Sequence, residues 1–204
     1  NNFLKRLKKN GAKFSYRKLK KTKKVYEANI TVFDALKKSD TDSKGEFLLE
    51  RYVSAHSIIM SFEGIPAVYF NSLFGKSNDE AKYIITGNKR DVNRYKWNYK
   101  NISKKLDNKN SKQSIFFQKI SNLLSVRRKQ KAFHPNASRQ NINLGSKIFS
   151  FKRISIDRKQ TIICITNLSS MTQRTHLDKV YHNWNNLIGS KIKVNNKLLI
   201  LKPF

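Results

Sequence analysis

Residues 47–70 read FLLERYVSAHSIIMSFEGIPAVYF. Leu48, Tyr52, Ala55, Ile59 and Phe62 recur at helical spacing, and Leu49, Val53 and Ile58 widen the stripe, which predicts a helix from Phe47 to Phe62 buried between two layers. Gly64 stands where a helix C-cap usually falls. The run Ile65-Pro66-Ala67-Val68-Tyr69-Phe70 that follows is short and almost wholly apolar, as a buried parallel strand is. A helix, a tight turn and a buried strand make one αβ unit of a parallel sheet or barrel.

Upstream, Phe3, Leu4 and Leu7 predict a short helix, then Lys13 to Arg17 and Tyr26 to Phe33 read as strands. Lys37 to Gly45 is a polar loop. Downstream, Asn71 to Lys112 is long, polar and irregular, and loops of that length are usually functional. Phe116, Ile120, Leu123, Leu124 and Val126 then predict a second amphipathic helix, with Arg127-Arg128-Lys129 in its last turn and His134-Pro135-Asn136 as its break. After residue 140 the period changes to two. Ile148 to Ile154, Thr161 to Thr166, Arg174 to Leu177, Lys191 to Val194 and Lys197 to Leu201 predict an antiparallel sandwich. The expected division is therefore residues 1–138, the end of an α/β domain, and residues 139–204, a small all-β domain.

The composition is globular, at 38% hydrophobic and 11% aromatic residues. Lys plus Arg number 43 against 13 Asp plus Glu, a formal charge of +30. Such an excess suggests nucleic acid or another polyanion, but a footprint needs the charge gathered on one face. Here it is spread along the chain, together with frequent Asn and only 7 Gly, as an AT-rich genome imposes; nucleic acid is accordingly not the expected partner. The exception is Lys5 to Lys24, with eleven Lys or Arg and no acid. Cys164 is the single cysteine and is expected as a small buried hydrophobe in a reducing cytoplasm. No apolar run reaches the roughly 18 residues a membrane span needs. His56, His134, His176 and His182 show no metal-ligand spacing, and His56 is expected as a satisfied core histidine. The chain opens on Asn1-Asn2 and closes on Lys202-Pro203-Phe204 inside a strand-like run, so both ends are expected to be cuts.

Four segments carry a closer likeness. Gly64 to Phe70 resembles the last barrel strand of the alpha-amylase family, Gly-x-Pro-x-Ile-Tyr-Tyr. Asn71 to Asp79 and Thr86 to Arg94 resemble the sucrose phosphorylase subgroup's Ser-Leu-x-Gly-x-x-Asn-Asp and Thr-Gly-Arg-Asn-Arg-x-Ile-Asn-Arg. Tyr26 to Leu36 is similar to its Tyr-Glu-x-Asn-Ile-x-x-Phe-Asp-Ala-Leu. Arg127 to Ala137 matches its Arg-Arg-x-Gln-x-Ala-Phe-His-Pro-Asn-Ala. The likeness runs over nearly the whole chain and is weakest in the first 20 residues and after Leu168. It departs at Asn88, where the subgroup has Arg, and at Lys24-Val25, where the subgroup often has Pro or an acid.

The resemblance implies the last part of a (β/α)8 TIM barrel followed by a C-terminal β-sandwich. Phe47–Phe62 becomes helix seven, Ile65–Phe70 strand eight and the Gln113–Lys131 region helix eight. The loop from Asn71 to Arg94 then lies at the active-site mouth, at the C-terminal end of a barrel strand. It implies retaining glucosyl transfer from a glucoside to inorganic phosphate, with no cofactor. That chemistry uses an Asp nucleophile and a Glu acid/base about 5 Å apart. None of the family's carboxylate motifs occurs here, so no catalytic residue is assigned and the fragment alone is expected to be inactive. The resemblance makes Arg94 the residue that bonds distal hydroxyls of the glucosyl ring. It places Arg90 and Asn93 as loop supports or near phosphate, and Tyr26 and Glu27 on the acceptor side. Trp97 and Tyr99 either stack on a sugar or pack in the core. A plain hydrolase of the same family and a basic nucleic-acid-binding protein are the rival readings.

Overall fold

The computed structural model describes residues 2–19, 22–176, 184–188, 192–195 and 198–204. In chain order it has α1 (Asn2–Lys9), β1 (Lys13–Leu19), β2 (Thr22–Asn29), α2 (Val32–Ala35), α3 (Leu48–Ser61) and α4 (Phe70–Leu73). Next come α5 (Glu80–Thr86), a 3₁₀ turn (Lys89–Asn93), α6 (Tyr99–Asp107), α7 (Lys112–Arg128) and a second 3₁₀ turn (Lys131–Phe133). Among the described residues six strands follow: β3 (Ser138–Asn141), β4 (Ile148–Ile154), β5 (Thr161–Asn167), β6 (Gln173–His176), β7 (Ile192–Asn195) and β8 (Leu198–Leu201). Leu177, Lys191 and Lys197, assigned to strands above, and His182 lie outside the described residues, as do Lys20 and Lys21 of the basic stretch. Two compact units result: residues 1–48 with 68–118, and residues 49–67 with 119–204.

In the first unit β1 and β2 form an antiparallel hairpin whose register puts Arg17 opposite Lys24 and Lys18 opposite Lys23. The register shifts between Ser15 and Tyr16, so that Tyr26 is the extra residue of a bulge. The strand expected through Phe33 stops at Asn29, because Thr31 caps a helical turn instead: its hydroxyl accepts from Asp34 N–H at 3.2 Å. Phe33 thereby turns inward against Phe116, with ring centroids 5.6 Å apart. The stretch 71–112 is not irregular throughout. Asp79 and Asn98 cap α5 and α6 by accepting from Lys82 N–H and Asn101 N–H, and Ile102 seats α6 in the core.

In the second unit α3 matches the expected helix within a residue or two, but its buried face differs. Tyr52 and Met60 are buried with His56 between them, while Ile59 is 45% exposed. An apolar helix with residues all round leaves the packing partner, not the stripe, to choose the face. His56 lies 4.4 Å from the Tyr52 ring and its Nδ1 bonds Tyr52 O at 2.8 Å, as a satisfied core histidine. The end of α3 is held by two guanidiniums. Arg127 donates from Nη1 to Met60 O and Phe62 O and from Nη2 to Gly64 O. Arg153 donates to Ser61 O at 2.6 Å and to His134 O and Ala137 O. Cations at the last carbonyls of a helix satisfy its orphan acceptors and its dipole together.

The segment expected as a buried parallel strand, Ile65 to Tyr69, has no regular secondary structure and pairs with no strand among the described residues. Ile65 is 86%, Tyr69 56% and Phe70 55% exposed. A strand needs neighbours for its backbone groups, and every pairing among the described residues is antiparallel and made elsewhere. The C-terminal strands form two three-stranded antiparallel sheets, β3-β4-β5 and β6-β8-β7. Leu199 and Leu201 of β8 are buried, with Leu144, Ile148 and Ile165 packed against them. β3 is an edge strand of polar Ser-Arg-Gln-Asn, without the alternation that sequence reading requires.

Candidate functional site

The loop after Phe70 is built by side chains that replace regular structure. Gly75 adopts φ +55°, and a Cβ there would stand 2.6 Å from Phe116 Cδ1, so only glycine lets the chain pass the Phe116 ring. Asn78 follows as a four-way clamp. Its N–H donates to Asp34 Oδ2, its Oδ1 accepts from Thr31 N–H at 2.9 Å, and its amide reaches Asn10 O and Gly11 O. Asp79 then starts α5, and Gly87 ends it at φ +65° in the left-handed region. Asn88 caps the 3₁₀ turn by accepting from Arg90 N–H at 3.1 Å. Where the subgroup has Arg, this chain therefore has a capping side chain. Asp91 is held below the ordinary carboxylate range, first by the Thr86 hydroxyl and then by Lys82, whose ammonium is 3.2 Å away.

At the far end Asn71, 4% exposed, clamps the return. Its amide donates to Tyr95 O at 3.0 Å and its Oδ1 accepts from Trp97 Nε1 at 2.9 Å. Trp97 packs edge-on against Phe74 and Tyr95, so of its two sequence readings the packing one holds, whereas Tyr99 is 81% exposed.

The structure brings Arg90 and Glu27 together: Arg90 Nε is 3.0 Å from Glu27 Oε1, joining the loop to the hairpin. Two further pairs brace the same elements, Lys13–Glu80 at 2.9 Å and Lys82–Asp91. Tyr26, on the bulge, is 63% exposed beside Glu27. Arg94 follows the 3₁₀ turn with its N–H on Asp91 O and its side chain in solvent, making no side-chain hydrogen bond among the described residues. Asn93 O receives Asn71 Nδ2 at 3.5 Å, while Asn93 Oδ1 is buried with no partner among the described residues. The arrangement presents guanidinium donors and an exposed ring, suited to hydroxyl and oxyanion ligands. Sequence reading missed Asn71, Asn78 and Asp34 as the residues that fix it, although the last two stand inside the quoted motifs. No group of three His, Cys, Asp or Glu that could hold a metal occurs among the described residues.

No family model matches the chain. Individual relatives do. It is 29% identical over 184 residues to a glucosylglycerate phosphorylase of Escherichia coli (strain K12), covering 90% of this chain and 32% of that protein. It is 33% identical over 148 residues to a glucosylglycerate phosphorylase of Allomeiothermus silvanus, covering 72% of this chain and 26% of that one. A sucrose phosphorylase of Agrobacterium vitis is 29% identical over 127 residues, 62% of this chain and 23% of that one. The chain thus spans a third or less of the curated relatives it matches. Among solved structures, sucrose 6F-phosphate phosphorylase from Thermoanaerobacter thermosaccharolyticum superposes with a TM-score of 0.61 at 22% identity, over 81% of this chain and 33% of that one. The trehalulose synthase MutB from Pseudomonas mesoacidophila MX-45 superposes at 0.51 and 13%, over 75% and 36%. Those identities speak for the fold, and the curated relatives for the lineage: the chain belongs with the glucosylglycerate and sucrose phosphorylases, the sucrose-phosphorylase-like enzymes of the alpha-amylase family.

Proposed function

We propose that the protein containing this chain is a retaining glucoside phosphorylase, a hexosyltransferase that moves a glucosyl group from a glucoside to inorganic phosphate and releases glucose 1-phosphate. The observation that carries this reading is that the relatives over most of the chain are named glucosylglycerate phosphorylases, with a sucrose phosphorylase beside them. The donor is accordingly sucrose or a glucoside of the glucosylglycerate or glucosylglycerol type. Residues 1–138 are the end of the barrel domain and residues 139–204 the β-sandwich domain, a reading supported by the two small sheets that share the Leu199–Leu201 cluster. The uncovered apolar side chains of Ile65, Tyr69 and Phe70 fit a strand whose neighbours lie outside these residues. The protein works in the cytoplasm, where Cys164, the one cysteine of this chain, stays reduced.

In this mechanism the carboxylates come from sequence not present here, and the chain supplies positioning. Arg94 donates to distal hydroxyls of the glucosyl ring, fixing it for attack at the anomeric carbon. The Arg90–Glu27 pair locks the hairpin to the loop, so that Tyr26 shapes the acceptor side, and Asn93 holds the loop beside Arg94. The nucleophile's ester with glucose is then broken by phosphate in place of water. The experiment is a donor panel on the intact protein: sucrose, glucosylglycerate, glucosylglycerol and sucrose 6-phosphate, each with inorganic phosphate, for wild type and Arg94→Ala. Glucose 1-phosphate from one donor, lost in the variant, supports the reading. Free glucose without phosphate dependence makes it a hydrolase, and no product from any donor removes the phosphorylase reading.

A further inference from the structure

In the second unit a cavity of about 490 Å³ lies between α3, α7 and β5. That is within the size range of small-molecule sites. Its walls are mainly apolar, with Met60, Leu123, Val126, Phe133 and Trp184 among them. Arg127 is the single charged residue in that lining, and it is 9% exposed. Its hydrogen bonds all go from the two terminal nitrogens to main-chain oxygens, and no carboxylate pairs with it among the described residues. Close by, Arg153 is wholly buried and among the described residues also bonds only carbonyls, with its Nε left unpartnered. The acid whose field reaches Arg153, Glu63, is committed to Arg139 at 2.8 Å. Cys164 lines the same cavity but supplies no anion, since burial pushes its thiol up to about 11. Arg127 therefore lies at a mainly apolar cavity with no carboxylate paired to it among the described residues, an arrangement that buried guanidiniums otherwise avoid.

We propose that this cavity binds a monocarboxylate with an apolar body, its carboxylate paired with Arg127 and its apolar part against Leu123, Phe133 and Trp184. The site is separate from the loop that carries Arg90 and Arg94 and does not depend on the reaction proposed above. A carboxylate there supplies the counter-charge that Arg127 lacks among the described residues, and the apolar side chains beside it strengthen the pair. A neutral chain of equal length fills the walls but leaves the guanidinium unpaired, so charge and shape are both needed.

The test is titration calorimetry of the intact protein with decanoate and with decanol. Saturable one-to-one binding of decanoate, at least about tenfold tighter than decanol, is expected, a ratio that corresponds to about 1.4 kcal/mol. Ile163→Trp, which fills the cavity from β5, should abolish it. Arg127→Gln should bring decanoate down to the level of decanol. Because that variant also removes the bonds to Met60, Phe62 and Gly64, unfolding of Arg127→Gln leaves the decision to wild type and Ile163→Trp. Equal affinity for the acid and the alcohol, unchanged binding in Ile163→Trp, or no saturable binding of decanoate overturns the proposal.

Discussion

Replacing Gly75 by alanine asks the loop's tightest point to hold a methyl group. Two costs add. A residue with a Cβ at φ +55° pays about 1–2 kcal/mol for the left-handed region. The new methyl stands 2.6 Å from Cδ1 and 2.8 Å from Cγ of Phe116, itself 6% exposed and packed on Phe33, so it cannot swing aside. Overpacking of that kind costs about 1–3 kcal/mol, giving about 2–5 kcal/mol together. Gly64 is the internal control: its φ is +77°, but a Cβ there meets nothing within 4 Å, so Gly64→Ala pays only the backbone cost of about 1–2 kcal/mol. Urea unfolding of the intact protein with both variants, and with Gly75→Ala combined with Phe116→Leu, measures the difference. The double variant should be less destabilised than the sum of its parts, since trimming the ring relieves the contact. Equal losses for Gly64→Ala and Gly75→Ala, or strict additivity with Phe116→Leu, would refute the steric argument.

Asn78→Ala keeps the main-chain bond to Asp34 but leaves Thr31 N–H without its acceptor and Asn10 O and Gly11 O without their amide donor; a loss of about 1–3 kcal/mol is expected by urea unfolding, while Asn110→Ala, on an exposed turn, stays within about 0.5 kcal/mol. His56 is depressed below its ordinary pKa, desolvation outweighing its bond to Tyr52 O. The unfolded chain therefore binds the extra proton first, and stability should fall as pH drops below about 6.5 toward the folded value, a slope that His56→Phe flattens in thermal melts. Cys164, raised from 9.0 to about 11, should carry about a hundredfold less thiolate than a free thiol near pH 8. Its labelling by a disulfide reagent should be slow when folded and fast in denaturant, and equal rates would contradict the burial.

Where one residue type at one spacing carries the signal, the sequence was readable. α3 and α7 follow from their apolar periodicity, β4 and β5 from alternation, and the early helix from Phe3, Leu4 and Leu7; the strand beginning at Lys13 was read, but its pairing with Thr22–Asn29 was not. β3 had no apolar partner set, and α6 announces itself only through the Asn98 cap and Ile102, too little for a periodic pattern. Arg127 reads in sequence as a cation in the last turn of α7, yet it serves the carbonyls at the end of α3, 63 to 67 residues away. Long-range bonds of that kind are set by packing and leave no local trace. The same holds at the site. Tyr26, Glu27, Arg90, Asn93 and Arg94 were legible as matches to a motif. That Arg90 would close on Glu27, 63 residues earlier, and that Asn71 and Asn78 would hold the loop, required the fold.

Product partition at rising phosphate distinguishes phosphorolysis from hydrolysis in a single assay. The intact protein is given glucosylglycerate, and glucose 1-phosphate and free glucose are measured together as inorganic phosphate is titrated from zero. Glucose 1-phosphate should rise to saturation at the expense of free glucose, with Arg94→Ala lowering both by at least about a hundredfold, in keeping with lost positioning. Free glucose unaffected by phosphate, or full activity in Arg94→Ala, would contradict it.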